Sequence, residues 1–305
     1  MPVTTAQPKS LAIEFALLAV LAGLWGSSYL LIKVALTSFP PITLMATRVT
    51  LAACFLLIVL RLRGEHLPTD TSSLRKLFVQ SLLNSSVAWL VLAWGQQYLA
   101  SGLAGVLNST SPLFVFLLTG FSAGATKSIA KLAGVLLGFV GVTLVVGLDA
   151  LQGLGHQALA QCAVLFGAFL YACAAINGKS VAHLSSLVTA TATMLWAALC
   201  LVPLSLVVDA PWTLRPTATA CLAAATLAIL GTGVALIIYF RLIKTLGPMG
   251  VASQSYLRAG VSVLLGLVIL GEQLSGTVLL GLVTIIVGVA LINLPAKKTA
   301  HSRRL

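Results

Sequence analysis

Apolar residues in this chain come in blocks separated by short polar or turn-forming joints. A helix needs about 20 such residues to cross a bilayer core. Ten blocks run approximately over 11–35, 42–61, 75–95, 98–120, 130–148, 157–178, 186–208, 217–240, 248–270 and 275–294. Several joints are punctuated by Pro40-Pro41, Leu67-Pro68, Asp209-Ala210-Pro211 and Gly247-Pro248. The apolar runs are continuous rather than alternating, so they read as helices and not as strands of a barrel. Helices joined this tightly are antiparallel neighbours. The first block is longer than a signal peptide's apolar core. It continues into Trp25-Gly26-Ser27-Ser28 without a convincing cleavage site, so it is expected to persist as a helix.

The blocks also repeat. At an offset of 147 residues, Gly134 and Gly141 recur as Gly281 and Gly288, Ser128 as Ser275, Gly124 as Gly271, Val87-Ala88 as Val234-Ala235, and Leu99 as Leu246. At an offset of 146, Lys33 pairs with Lys179 and Thr43 with Thr189, and Trp25 falls opposite Tyr171. Five helices per half is an odd number, so the second half enters the membrane from the opposite side. The expected fold is all-α and polytopic, with ten transmembrane helices in two inverted five-helix repeats. These are residues 1–148 and residues 149–305, the latter with a short basic tail. Inverted repeats are a mark of alternating-access carriers, with a site near the midplane between the halves.

Composition sharpens the picture. The chain is 59% hydrophobic and 8% charged, whereas soluble domains carry about 25% charged residues. That excludes a cytosolic enzyme, a nucleic-acid-binding domain and a disordered protein; the expected partners are the lipid bilayer and a small-molecule substrate. The formal charge of +12 would suggest nucleic acid in a soluble protein. Here the basic residues fall between apolar blocks. With the N-terminus inside, 14 of the 18 Lys and Arg residues lie in inside segments, and Arg215 alone lies in an outside loop. The positive-inside rule thus places both termini in the cytoplasm. The five cysteines all sit in apolar blocks with no C-x-x-C pair and read as small packing residues. No spacing suggests a metal site, and no cofactor is expected. Monomer and homodimer are both open.

Particular stretches carry a family resemblance. Leu24-Trp-Gly-Ser-Ser-Tyr-Leu-Leu-Ile-Lys33, Arg48, Ser109-Thr-Ser-Pro112 and Leu270-Gly-Glu-Gln-Leu274, in this order and spacing, resemble the EamA-type ten-helix exporters of the drug/metabolite transporter superfamily. The resemblance covers essentially the whole chain. It implies a multi-pass carrier of the bacterial inner membrane, often an exporter of amino acids or other small metabolites. Two departures stand out. Ala125 replaces the counterpart of Glu272, and Arg258-Ala259 stands where family members often have an acidic or neutral residue followed by proline.

An ionisable residue at membrane depth is expensive and marks a candidate site. Arg258, about ten residues into the ninth span, is the foremost. Its guanidinium suits a carboxylate or phosphate, although a structural bond to a neighbouring helix is the plain alternative. Gln254 lies one helical turn before it, on the same face. Asn108 and Ser111 lie mid-helix beside Pro112, whose missing N–H leaves a carbonyl free; such irregularity is tolerated where it lines a cavity. Ser255 matches Asn108 at the 147 offset. Trp25, Trp89, Tyr171, Tyr239 and Tyr256 lie too deep for an interfacial belt and could wall a substrate side chain or simply pack. Pro112 and Arg48 are gating or structural candidates, Arg48 through snorkelling or a structural bond. Lys33 and Lys179 read as interfacial anchors. Gly134, Gly138 and Gly141 read as a close helix contact within the chain, with a dimer face as the alternative.

No carboxylate lies deep in a span. The related small multidrug transporters use a membrane-embedded glutamate for cationic drugs, and the matching stretch here is apolar. There is no Walker loop for ATP and no catalytic constellation. The expected function is a secondary transporter, not an enzyme. It would export amino acids or related carboxylate-bearing metabolites. Efflux of neutral or amphiphilic toxic compounds is the alternative within transport, and a membrane enzyme or sensor is the rival class.

Overall fold

A computed structural model of the chain describes residues 8–120, 129–146, 156–246, 251 and 254–293, and among them every regular element is helical. The order is α1 (Pro8–Ala35), α2 (Pro41–Leu62), α3 (Thr71–Ser81), α4 (Val87–Tyr98), α5 (Ser101–Asn108), α6 (Ser111–Gly120), α7 (Ile129–Val146), α8 (His156–Asn177), α9 (Ser186–Val208), α10 (Ala218–Ala228), α11 (Ala235–Thr245), α12 (Gln254–Ile269) and α13 (Gly276–Asn293). Among the described residues seven rods are long and apolar enough to cross a membrane, and Leu257–Ile269 and Gly276–Gly288 are shorter apolar helices. The joint at Gly247-Pro248, Ala125 and the basic C-terminal tail lie outside the described residues.

Element ends follow capping chemistry. The third rod begins at Thr71, earlier than hydropathy alone predicts, because the Asp70 carboxylate accepts from Ser73 N at 2.7 Å and supports a polar first turn. The Ser73 backbone first, and its side chain second, hold the Asp70 carboxyl below its ordinary range. Pro41 opens α2 at a position where no N–H is needed. Ser185 and Thr217 cap α9 and α10 with their hydroxyls.

Two rods change winding at matching places. Leu82–Ser86 joins α3 to α4 as a π-helical turn, and Ile229–Val234 joins α10 to α11 in the same way. Residues 82 and 229 are 147 apart, so the two turns sit at repeat-related positions. Their small polar residues, Asn84-Ser85-Ser86 and Gly231-Thr232-Gly233, are buried. Thr232 shows how the altered winding is satisfied: its hydroxyl donates to Leu227 O, five residues back, at 2.8 Å.

Packing has the same internal symmetry. The broadest contact is α7 with α13, the last helix of each half; α2 packs on α9, α1 on α12, and α8 on α5 and α6. The α7–α13 crossing is close enough to need glycine. A Cβ at Gly288 would lie 2.6 Å from Gly138 N, and one at Gly141 would lie 2.7 Å from Ile285 N. The glycine series is therefore an internal seam. The outer surface carries large apolar side chains, including Leu62, Val207, Leu222 and Val268, as expected where the solvent is lipid. Cys54, Cys162 and Cys221 are exposed there and are not packing residues.

Lys33, expected as an interfacial anchor, has specific partners at the end of a neighbouring helix. Its Nζ donates to Gln96 O at 2.9 Å and Leu99 O at 2.8 Å, capping the carbonyl end of α4. At the other end of α1, Glu14 is nearly buried, pairing with Arg241 at 2.7 Å and accepting from Thr245.

Candidate functional site

A cavity of about 1080 Å³, its mouth included, opens between helices of both halves. Trp25 from α1, Arg48 from α2, Trp89 from α4, Asn108 from α5, Ser111 and Pro112 from α6, Tyr171 from α8, Tyr239 from α11, and Gln254, Ser255 and Arg258 from α12 all line it. These positions, scattered over more than 230 residues of sequence, are brought together by the packing of the two halves. Tyr256, the remaining candidate, lies outside the described side chains. Asn108 and Ser255, repeat-related by 147, both face the cavity.

The break between α5 and α6 shows how local sequence builds the site. A proline at 112 cannot donate to the carbonyl of Asn108 four residues earlier. The helix stops at Asn108, turns through Ser109-Thr110 and restarts at Ser111. The released Asn108 O accepts from Arg258 Nη2 at 3.2 Å. Its side-chain amide donates to Tyr29 Oη at 2.5 Å, while Asn108 Oδ1 has no partner among the described residues. Proline, asparagine and arginine thus form one unit from three helices.

Arg258 is 6% exposed. Its Nε has no partner, and the described lining contains two arginines and no carboxylate. Burying a guanidinium without an anion is costly. In the same cavity lining, Gln254 Oε1 and Gln96 Oε1 are also buried without partners among the described residues. The site therefore presents an unpaired cationic donor beside unpaired neutral acceptors. A small molecule carrying both a carboxylate and a donor such as an ammonium could engage both kinds of group.

Arg48 is held differently. It is 4% exposed, its guanidinium carbon lies 3.7 Å from the Trp89 ring centroid, and its Nε donates to Thr232 Oγ1 at 2.8 Å. It does not snorkel; cation–π stacking and a bond to the second π-turn fix it in the cavity wall. Aromatic rings continue the wall, with Trp25 and Tyr239 centroids 5.1 Å apart.

Among the lining residues that sequence did not single out for the cavity are Tyr29, Gln96 and Asn84. Tyr29 was within reach, since it follows Trp25 by four residues on the same face of α1. Gln96 gave no such signal. Its Nε2 donates to Tyr29 O at 3.1 Å, a contact between helices that spacing does not encode.

Several proteins of similar sequence are named as transporters. The chain is 28% identical over 280 residues to the uncharacterised inner membrane transporter YedA of Escherichia coli K12, covering 92% of this chain and 90% of that protein. It is 28% identical over 283 residues, 90% of this chain and 91% of the relative, to an Escherichia coli K12 protein named a probable amino-acid metabolite efflux pump. A solved crystal structure with 19% identity superposes with a TM-score of 0.64 over 92% of this chain and 96% of its own, a likeness of fold. The EamA-like transporter family matches twice, over residues 13–147 and 158–294. With two such repeats across an all-helical, lipid-faced bundle, the chain belongs to the EamA-like transporter family and is a multi-pass inner-membrane transporter of the drug/metabolite transporter superfamily.

Proposed function

We propose that the protein is a secondary carrier that exports a small carboxylate-bearing metabolite, an amino acid above all. Two inverted five-helix halves, residues 1–148 and 149–305, alternate about the cavity, with ten spans and both termini cytoplasmic. Arg258 holds the carboxylate. Gln254 and Asn108 offer amide oxygens to the ammonium, and the aromatic wall contacts the side chain.

The observation that carries this reading is the buried Arg258, whose Nε lacks a partner in a cavity whose described lining has no carboxylate. A buried charge kept without a structural anion points to an anionic ligand. The relative named an amino-acid metabolite efflux pump supports the amino-acid side of the reading.

Counterflow in proteoliposomes tests it, using labelled amino acids and organic anions with Arg258→Ala for comparison. Saturable counterflow of a carboxylate compound, lost in Arg258→Ala protein that remains folded, is the expected result. Wild-type counterflow unchanged by Arg258→Ala defeats the anchor. No counterflow of any carboxylate by folded protein makes Arg258 a structural residue and favours efflux of neutral or amphiphilic compounds.

A further inference from the structure

The joint between α4 and α5 is two extended residues, Leu99 and Ala100. Both helix ends that flank it are held by charged side chains from elsewhere in the chain. Lys33 of α1 donates to Gln96 O and Leu99 O on the carbonyl side. On the amide side, Glu272 Oε1 accepts from Ser101 N at 2.6 Å and Oε2 accepts from Gly102 N at 3.1 Å. Each charge matches the end of the helix dipole that it meets.

The seat of Glu272 is built for it. Gly271, at φ +63°, takes the left-handed turn that aims the carboxylate back at α5. Glu272 N donates to Gly266 O at 3.0 Å. A Cβ at Gly266 would overlap Glu272 Oε2, so a larger residue there would push the carboxylate from this seat. The repeat does not reproduce this device at its related positions. Lys179, the counterpart of Lys33, is exposed, and the sequence has Ala125 opposite Glu272.

We propose that Lys33 and Glu272 are the gate at one end of the transport cavity, and that α5 couples this gate to Arg258. The distribution of basic residues assigns that end to the non-cytoplasmic side. Trp25, Tyr29 and Lys33 follow one another at four-residue steps along one face of α1, running from the cavity wall to the clamp. The coupling element is α5, eight residues and about 12 Å long at 1.5 Å per residue. Ser101 at its first turn is held by Glu272, and the Asn108 carbonyl at its last turn is held by Arg258. A carboxylate that draws the guanidinium away removes the hold on one end of α5 and loads the clamp at the other. Opening then releases Glu272 from two backbone amides and Lys33 from two carbonyls, and both pairs of partners become available to water.

The inference rests on transport through this cavity and not on which substrate is carried, and its test needs no substrate. The five native cysteines are replaced by alanine, and Ile32, a cavity residue beside Lys33, becomes the probe through Ile32→Cys. A membrane-impermeant maleimide is applied to each face of oriented proteoliposomes in turn. In the probe background, labelling from the clamped face is expected to be slower than from the opposite face. Lys33→Met, Glu272→Gln and Gly266→Ala should each raise the clamped-face rate about tenfold, the scale of losing one charge-assisted hydrogen bond. Lys33→Arg, which keeps a cationic donor, should stay near the probe background. Arg258→Ala should also raise the rate if α5 is the coupling element; an unchanged rate there overturns the coupling. Equal labelling from both faces in the probe background overturns the gate without any change to the clamp. So do clamped-face rates within about twofold of that background in the three clamp variants, provided each unfolds at its temperature.

Discussion

At Gly288 the α7–α13 seam can be tested by a single methyl group. In Gly288→Ala the new Cβ would stand 2.6 Å from Gly138 N and 2.7 Å from Gly134 O. Both are backbone atoms, so no side-chain rotation relieves the contact. Ordinary van der Waals contact begins near 3.4 Å, and restoring it needs roughly 0.8 Å of separation between two helices packed along their length. Overpacking of this kind costs about 1–3 kcal/mol. Alanine returns about 0.8–1 kcal/mol of helix propensity. With a backbone clash at the upper end of the first range, the net loss should be about 1–2 kcal/mol. Gly23→Ala is the control, because nothing lies within 4 Å of its built Cβ; it should be neutral or gain up to about 1 kcal/mol.

The assay is equilibrium unfolding of purified protein in mixed micelles, followed by tryptophan fluorescence, with the oligomeric state measured alongside. Because Gly141 faces Gly281 and Ile285 as Gly288 faces Gly134 and Gly138, one separation of the helices relieves both contacts. The double variant Gly141→Ala/Gly288→Ala should therefore lose less than the sum of the single losses. No described cavity residue comes from α7 or α13, so substrate affinity should survive in the folded fraction. Gly288→Ala protein as stable as Gly23→Ala protein, with only dimer formation reduced, would refute the internal seam and make the glycine face a contact between copies.

Two further outcomes follow from named bonds. Thr232→Val removes the acceptor of Arg48 Nε and the donor to Leu227 O, leaving a buried cationic donor unsatisfied at about 2–3 kcal/mol; Thr232→Ser keeps the hydroxyl and should unfold near wild type in the same assay. At Asp70, the Ser73 backbone amide first and its side chain second lower the carboxyl pKa in the folded chain, so its support of α3 is complete above the unfolded value of about 3.9 and is lost as pH falls through the lower folded value. Hydrogen exchange at the Ser73 and Leu74 amides should accelerate in that window, and Asp70→Asn, which caps without titrating, should abolish the pH dependence.

What the sequence revealed and what it hid divide along a physical line. Side chains that violate the apolar pattern were visible because lipid makes polarity at depth expensive. Arg258 was found that way, Gln254 as its neighbour one turn earlier, Asn108 beside Pro112 and Ser255 through the repeat, and all four line one cavity. Pro112 was informative for the same kind of reason: a missing N–H at a known position predicts which carbonyl is released, and Arg258 binds that carbonyl. The hidden features are changes in backbone bonding that leave the apolar pattern intact. The π-turns at Leu82–Ser86 and Ile229–Val234 shift the hydrogen-bond ladder by one residue within rods that still read as continuous apolar helix. Glu272 lies in the loop between Ile269 and Gly276, but hydropathy cannot show that the chain at Gly271 turns its carboxylate onto the amides of Ser101 and Gly102. For Arg48 the sequence left snorkelling and a structural bond both open; the bond it makes could not be named because its partner Thr232 lies 184 residues away. The repeat does not pair Arg48 with Thr232, but it marks the turn in which Thr232 sits. The 147-residue offset relates the two π-turns, and Thr232 in the second turn bonds Arg48 of the first half. An altered winding in one half is thereby tied to a buried charge in the other. Local patterning located part of the cavity lining and missed Gln96 and Asn84, while the bonds that join the halves appear only in the fold.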